Sequence, residues 1–175
     1  RLALSWNLIV VLNDFGGMVK LRQLQLNRNQ LDELPENCFE GCNELESVDM
    51  SVNRLKQLPA SMSQCTEIHT MDLSSNQLVS LCDMGGMTKL KILKLSTNKL
   101  TELNSFNLTG ATLLETLFIN VNNFKELPDF LDAFIHLARV NVAGNPELDL
   151  SSEVNGPIAE KLSRRCAVNE GRWIM

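Results

Sequence analysis

The stretch "IHTMDLSSNQL" (residues 68–78) places large apolar residues at regular intervals around one asparagine, Asn76. The frame L-x-x-L-x-L-x-x-N-x-L describes it and also fits residues 21–31, 45–55, 90–100 and 114–124, with Val, Ile, Met or Phe sometimes replacing Leu. A truncated copy opens the chain (2–9), and a degenerate copy follows late (137–148). The repeated asparagines are Asn7, Asn29, Asn53, Asn76, Asn98, Asn122 and Asn145. Asn76 therefore belongs to a periodic structure.

Seven copies separated by 22 to 24 residues are the mark of a leucine-rich repeat. Each repeat should form one turn of a solenoid, with its L-x-L segment as a short strand. We therefore expect an α/β solenoid: a leucine-rich-repeat horseshoe with a parallel inner sheet, 3₁₀ or short helical return segments, and a carboxy-terminal cap. The predicted domains are 1–150, about seven repeats of which the first is truncated, and 151–175, a capping segment or the start of a linker.

The repeated asparagine is predicted to be structural. The backbone must bend after each strand, which frees N–H and C=O groups that face the core. A buried polar group without a partner costs about 1–3 kcal/mol, and an asparagine amide offers both a donor and an acceptor. We expect each asparagine to bind the backbone of its turn, so that the seven form a structural ladder.

The second half of each repeat predicts the outer wall. Leu-Pro followed by apolar residues about every third position recurs at 33–45, 57–68 and 126–137, which suits a 3₁₀ or short helical segment. The predicted core residues of this wall are Met62, Cys65, Met84, Met87, Phe130 and Phe134. The stretch "WNLIVVL" (6–12) is interpreted as a strand edge and a return segment, because it is too short to span a membrane.

Composition narrows the possible partners. The net charge is −5 and both signs are interspersed, which argues against a nucleic-acid binder. No run of 18 apolar residues exists, so direct membrane insertion is not expected. The sequence begins at Arg1, inside a repeat, and we expect it to be a fragment or a processed piece that lacks an amino-terminal cap.

The cysteines bear on the compartment. An odd number of them without a terminal cluster gives no disulfide framework; they are Cys38, Cys42, Cys65, Cys82 and Cys166. This favours a reducing, cytoplasmic setting. Cys38 and Cys42 resemble half of a metal site, but nothing completes it, and we expect buried thiols instead. The glycosylation pattern "NLT" at Asn107 favours the alternative, an extracellular pattern-recognition or receptor ectodomain.

No catalytic signature is found. Hydrolase, phosphate-loop and zinc motifs are absent from the sequence. His69 and His136 have no evident partner set, and "DMGGM" (83–87) is interpreted as a turn. We therefore expect a non-catalytic module with no cofactor and no metal, which binds a protein partner.

The inner face is the predicted binding surface, because side chains alternate along a strand and one position per turn faces solvent between the inward leucines. Asp49 and Asp72 should be neighbours there, Lys94 can neutralise only one of them, and Phe118 supplies an apolar anchor. The predicted partner-binding residues are Gln25, Asp49, Asp72, Lys94, Phe118 and Asn141. The alternative is that Asp72 pairs with Lys94 and the remainder is a solvated wall.

The last repeat departs from the frame. In "VNVAGNPELDLSSEV" (140–154), Leu148 and Leu150 suggest a closing strand. The stretch "PIAEKLSRRCAV" (157–168) predicts a helix with Ile158, Leu162 and Cys166 on one face.

The segment 44–78, "ELESVDMSVNRLKQLPASMSQCTEIHTMDLSSNQL", together with "GNPELDL" (144–150), resembles the terminal repeats of PH-domain leucine-rich-repeat protein phosphatases. In that family the repeats lead into a metal-dependent Ser/Thr phosphatase domain of the PP2C type. The resemblance implies that this chain is a targeting region. The acidic metal-binding motifs of the phosphatase are not in this sequence, and the "GNPxLxL" ending also occurs in scaffolds resembling Ras-pathway leucine-rich-repeat proteins.

Overall fold

A computed structural model describes residues 1–168 and 172–174 of the chain. Its centre is one parallel sheet in which the strands follow each other in sequence order, β1 to β8. The strands are β1 Leu2–Ala3, β2 Gln23–Gln25, β3 Ser47–Asp49, β4 Thr70–Asp72, β5 Ile92–Lys94, β6 Thr116–Phe118, β7 Arg139–Asn141 and β8 Arg172–Ile174. The first seven come from the seven repeats, so the predicted solenoid is confirmed.

The short strands follow from the repeat frame. In β3 to β5 the central residues Val48, Met71 and Leu93 are in register and almost fully buried, while the residues on either side of each are half-buried. Each turn therefore packs its apolar side chains only on the adjacent turns, as in other solenoids. The core runs as one column between the sheet and the outer wall.

The outer wall contains the predicted short helices in three turns. Two 3₁₀ helices, Ala60–Gln64 and Asp129–Ala133, begin directly after prolines, and α1 (Ser105–Leu108) is a single helical turn. Five of the six predicted wall residues are buried, whereas Phe130 is only half-buried and meets Phe134 edge-on. The paired glycines of "DMGGM" form a turn, as predicted.

Two sequence interpretations are wrong. Residues 6–12 contain no strand: β1 ends at Ala3, and Leu8 is 79% exposed. The predicted closing strand at Leu148 and Leu150 is a pair of turns. The Leu148 N–H donates to the Asn145 carbonyl at 3.2 Å, and the Asp149 side chain accepts from the Ser151 N–H at 2.9 Å. These local bonds bend the backbone where a strand would need it extended.

Helix α2 (Asn155–Val168) covers the last repeat. Leu162 and Cys166 are buried on its inner face, and Ile158 is partly buried beside them, as the pattern predicted. Arg165 donates hydrogen bonds to three backbone carbonyls of the second 3₁₀ helix and its end, at 2.6–3.3 Å. The helix is therefore joined to the repeats by polar contacts as well as by apolar packing.

Candidate protein-binding face

The asparagines join successive turns. The Asn76 amide donates to the Leu73 carbonyl of its own turn and to the Met50 carbonyl of the preceding turn, each at 3.0 Å, and accepts from the Leu55 N–H at 3.0 Å. The same three bonds recur at Asn29, Asn53, Asn98, Asn122 and Asn145. Asn7 differs, because it is exposed and its amide binds only its own turn, at the Leu4 and Ser5 carbonyls.

A second repeated feature, a left-handed backbone conformation, lies one residue before each of these asparagines. The residue before each repeated asparagine has a positive φ, between 55° and 69°. These residues are Trp6, Arg28, Val52, Ser75, Thr97, Val121 and Gly144. The left-handed conformation turns the chain sharply after the strand, and for a non-glycine residue it costs about 1–2 kcal/mol. Because the residue types at these positions differ so much, no common sequence pattern indicated the positive φ.

The concave face brings four of the predicted binding residues into one row. Asp49 is in register with Asp72, Asp72 with Lys94, and Lys94 with Phe118. Gln25 and Asn141 extend the row at its two ends. All six side chains belong to half-buried residues, where the sequence interpretation expected exposed ones. The row is therefore continuous, and its polar groups are partly shielded from water by their neighbours.

The two carboxylates of the row have different partners. Asp72 accepts a hydrogen bond from the Lys94 ammonium at 3.0 Å, which forms an ion pair. Asp49 accepts from the N–H and the hydroxyl of Ser51 through a single oxygen, at 3.0 and 2.7 Å. Within residues 1–168 no cation pairs with Asp49. Its second oxygen is thus available to a donor from outside.

The apolar end of the row contains an unsatisfied polar atom. Thr116 lies on the same strand as Phe118, is 3% exposed, and its hydroxyl has no hydrogen-bond partner in the described part of the chain. Its register neighbours are Ile92 and Arg139. A buried hydroxyl without a partner is unfavourable by about 1–3 kcal/mol, which the fold has to offset. The sequence showed Thr116 only as one small polar residue among many.

The cysteines are free thiols, and all but the half-buried Cys82 are buried. Burial raises the pKa of Cys38 and of Cys65 to about 12, so both stay protonated and unreactive at neutral pH. Across residues 1–168 and 172–174, no three His, Cys, Asp or Glu side chains are grouped to hold a metal ion. Over the same ranges, the helices are all too short or too polar to span a bilayer.

Comparison with known proteins identifies the class of this solenoid. A family model described as leucine rich repeat matches residues 19–78. The chain is 30% identical over 134 residues to lumican of Oryctolagus cuniculus, covering 73% of this chain and 67% of that protein. It is 32% identical over 124 residues to leucine-rich repeat serine/threonine-protein kinase 1 of Mus musculus, covering 65% of this chain but 6% of the kinase.

A solved structure agrees with the fold. A leucine-rich-repeat protein of Leptospira interrogans superposes with a TM-score of 0.76 at 25% identity, over 85% of this chain and 37% of that one. The chain belongs to the leucine-rich repeat family. Such repeats are typically non-catalytic modules for protein–protein interaction, and no enzymatic domain is evident in the part of this chain that the structure describes.

Proposed function

We propose that this chain is a protein-interaction module that binds a partner segment along the concave row from Asp49 to Phe118. The observation that supports this most directly is the Asp49 carboxylate, which is half-buried, lies beside a second carboxylate and pairs with no cation within residues 1–168. A basic side chain of the partner would bind there. Like charges on neighbouring strands are unfavourable in the free protein, so neutralisation by a ligand adds to affinity.

The distance along the row defines the partner further. Phe118 lies three strands from Asp49, which is about 14 Å at the usual strand spacing. A partner segment therefore needs an apolar side chain roughly four extended residues from its basic one. Such an apolar group would cover the half-buried Phe118 side chain.

The test is capture of partners from a cell extract with the wild-type chain and with Asp49→Asn/Phe118→Ala. Asparagine removes the charge but keeps an oxygen for the Ser51 hydrogen bonds, so the fold is disturbed little. A matched control, Asp32→Ala/Ile135→Ala, removes an acid and an apolar group that are exposed and lie outside the strands. Captured proteins that are lost with the first variant and kept with the control support the proposal. Identical captured sets for all three chains contradict it.

We further propose a cytoplasmic setting, which five free thiols favour. The resemblance to PH-domain phosphatases would make the module a targeting region for a phosphatase, although the relatives reported above point to leucine-rich repeats in general. The alternative, an extracellular receptor or pattern-recognition domain, rests on the glycosylation pattern at Asn107. Lysis of cells directly into denaturant that contains an alkylating agent and no reductant tests the compartment: five alkylated cysteines support a reducing one, and disulfides contradict it.

A further inference from the structure

Asn107 occupies the acceptor position of the only Asn-x-Ser/Thr pattern in the sequence that lacks proline at its second position. The structure places this asparagine inside the convex wall, where it is 7% exposed. Its amide nitrogen donates to the Leu81 carbonyl at 3.1 Å and to the Cys82 carbonyl at 3.2 Å, both in the preceding turn. Its amide oxygen accepts from the Asn104 N–H at 2.9 Å.

Asn107 therefore does on the convex wall what the repeated asparagines do beside the sheet. Asn155 has the same role at the last turn: its oxygen accepts from the Leu127 N–H at 2.8 Å, and its nitrogen donates to the Asp149 carbonyl at 2.8 Å. In both cases one amide satisfies backbone groups of two segments that pack together. Because an asparagine amide has two N–H groups, an amide that already donates to two carbonyls has no N–H left for another partner.

N-glycosylation requires that nitrogen. Transfer forms a bond from the asparagine nitrogen to the anomeric carbon of the sugar and breaks the bond from that carbon to the lipid-linked pyrophosphate, which leaves. One of the two N–H hydrogens is lost as a proton. The modified nitrogen keeps a single hydrogen, so one of the two carbonyls loses its partner. The sugar would also have to occupy the space in which a carbonyl lies 3.1–3.2 Å from the nitrogen.

We propose that Asn107 is a structural bridge between two turns, and that glycosylation at this asparagine and the native fold exclude each other. The inference does not depend on the proposed function. It implies that the pattern "NLT" is not a working glycan site of the folded protein. A chain that enters a glycosylating compartment either folds first and closes the site, or is modified first and cannot complete this turn.

Thr109 supplies a matched pair of variants. It is exposed, and its hydroxyl donates to the Ser105 carbonyl at 2.7 Å. Thr109→Ala removes the glycosylation pattern and leaves Asn107 unchanged, whereas Thr109→Ser keeps both the pattern and a hydroxyl. A positive control, Thr109→Ala/Lys125→Thr, creates a new pattern at the exposed Asn123. It shows whether the chain reaches the transferase at all.

The four chains would be produced with a cleavable secretory signal in glycosylating cells. The glycan would be detected by the mass shift that peptide N-glycosidase removes, and the fold by resistance to trypsin. We expect the positive control to be glycosylated and resistant, and every wild-type or Thr109→Ser molecule that carries the glycan to be digested. Unglycosylated wild-type protein beside a glycosylated positive control also supports the proposal. A wild-type molecule that is both glycosylated and resistant overturns it.

A second measurement needs no secretion. Asn107→Asp keeps the size of the side chain but replaces the donating nitrogen by an oxygen that faces the two carbonyls. We expect a lower urea midpoint than in Asn43→Asp, a control at an exposed asparagine of the same wall. Equal midpoints for the two variants would show that Asn107 is not a bridge.

Discussion

The Lys94 ammonium donates to the Asp72 carboxylate at 3.0 Å across two adjacent strands, while Asp49, on the other side of Asp72, has no such partner within residues 1–168. Two acids are thus adjacent, and the one cation beside them pairs with Asp72 only. The pair Asp72–Lys94, which the solvated-wall alternative predicted, is present, and it leaves the Asp49 carboxylate without a cation within residues 1–168. Whether a partner uses that carboxylate remains a prediction.

Replacing Lys94 by methionine should destabilise the protein in a salt-dependent way. The variant leaves Asp49 and Asp72 side by side without a cation, and we expect a loss of about 0.2–1 kcal/mol in the free energy of unfolding at low salt. The loss should shrink in 1 M NaCl, where the screening length falls to about 3 Å. Urea unfolding at both salt concentrations measures it. Lys99→Met is the control, because Lys99 is exposed and binds the neutral Gln77 amide. A loss of unfolding free energy that is the same at both salt concentrations would contradict the electrostatic explanation.

Asn76→Ala should destabilise the solenoid far more than Asn7→Ala. The first change leaves the Leu55 N–H without a partner in the core, at about 1–3 kcal/mol. It also removes one of two donors from the Met50 and Leu73 carbonyls, which keep only Asn53 and Asn98 respectively. The second removes an exposed side chain that binds only its own turn. The urea midpoints of the two variants provide the comparison. An unchanged midpoint for Asn76→Ala would refute the structural role assigned to the repeated asparagines.

Val52→Asn should stabilise the protein. Val52 has a φ of 56° and is 40% exposed, so the change relieves a strained backbone and gives up little apolar packing. Asparagine enters the left-handed conformation more readily than valine, and we expect a gain of about 1 kcal/mol in the free energy of unfolding. Val79→Asn is the matched control, because Val79 is 55% exposed and is not among the residues with positive φ. Equal effects of the two changes would argue against strain at Val52.

Stability should fall as the pH rises above about 8.5, the ordinary pKa of a thiol. Burial raises the pKa of Cys65 to about 12, so the unfolded chain loses this proton at a lower pH than the folded one. The contribution of the thiol is therefore complete below pH 8.5 and is lost progressively toward pH 12. The chain has no tyrosine, which simplifies the measurement. Urea midpoints between pH 8 and pH 10.5 should decline less steeply in Cys65→Ala than in the wild type, and parallel declines would contradict the assignment.

The repeat frame predicted the fold and the register of the concave row because both depend on spacing alone. Once Asn53 and Asn76 are recognised as equivalent, Asp49 and Asp72 must be neighbours. The same logic failed at Leu148 and Leu150, where an alternating apolar pattern resembles a strand but Asp149 closes a turn through Ser151. There, the hydrogen bond to the Asp149 side chain determines the backbone conformation, and the apolar periodicity does not.

The convex bridges could not be predicted from spacing. Asn107 and Asn155 lie outside the repeated frame, and the partners that they bind in the preceding turns are 25–30 residues away. The half-buried state of Asp49 and the unpaired hydroxyl of Thr116 also depend on how neighbouring side chains cover the strand. Both are properties of three-dimensional packing, which a single sequence does not encode in any local pattern.

The asparagine amides join each turn only to the one before it, so the molecule can be shortened by a whole unit without loss of continuity. Excision of residues 54–76 would bring Asn53 directly before Gln77, and the next strand to pair with β3 would be β5. Asp49 would then face Lys94 and would be neutralised. The order of the repeats therefore determines the charge pattern of the concave face, and rearranging whole repeats would change that pattern while leaving the scaffold the same.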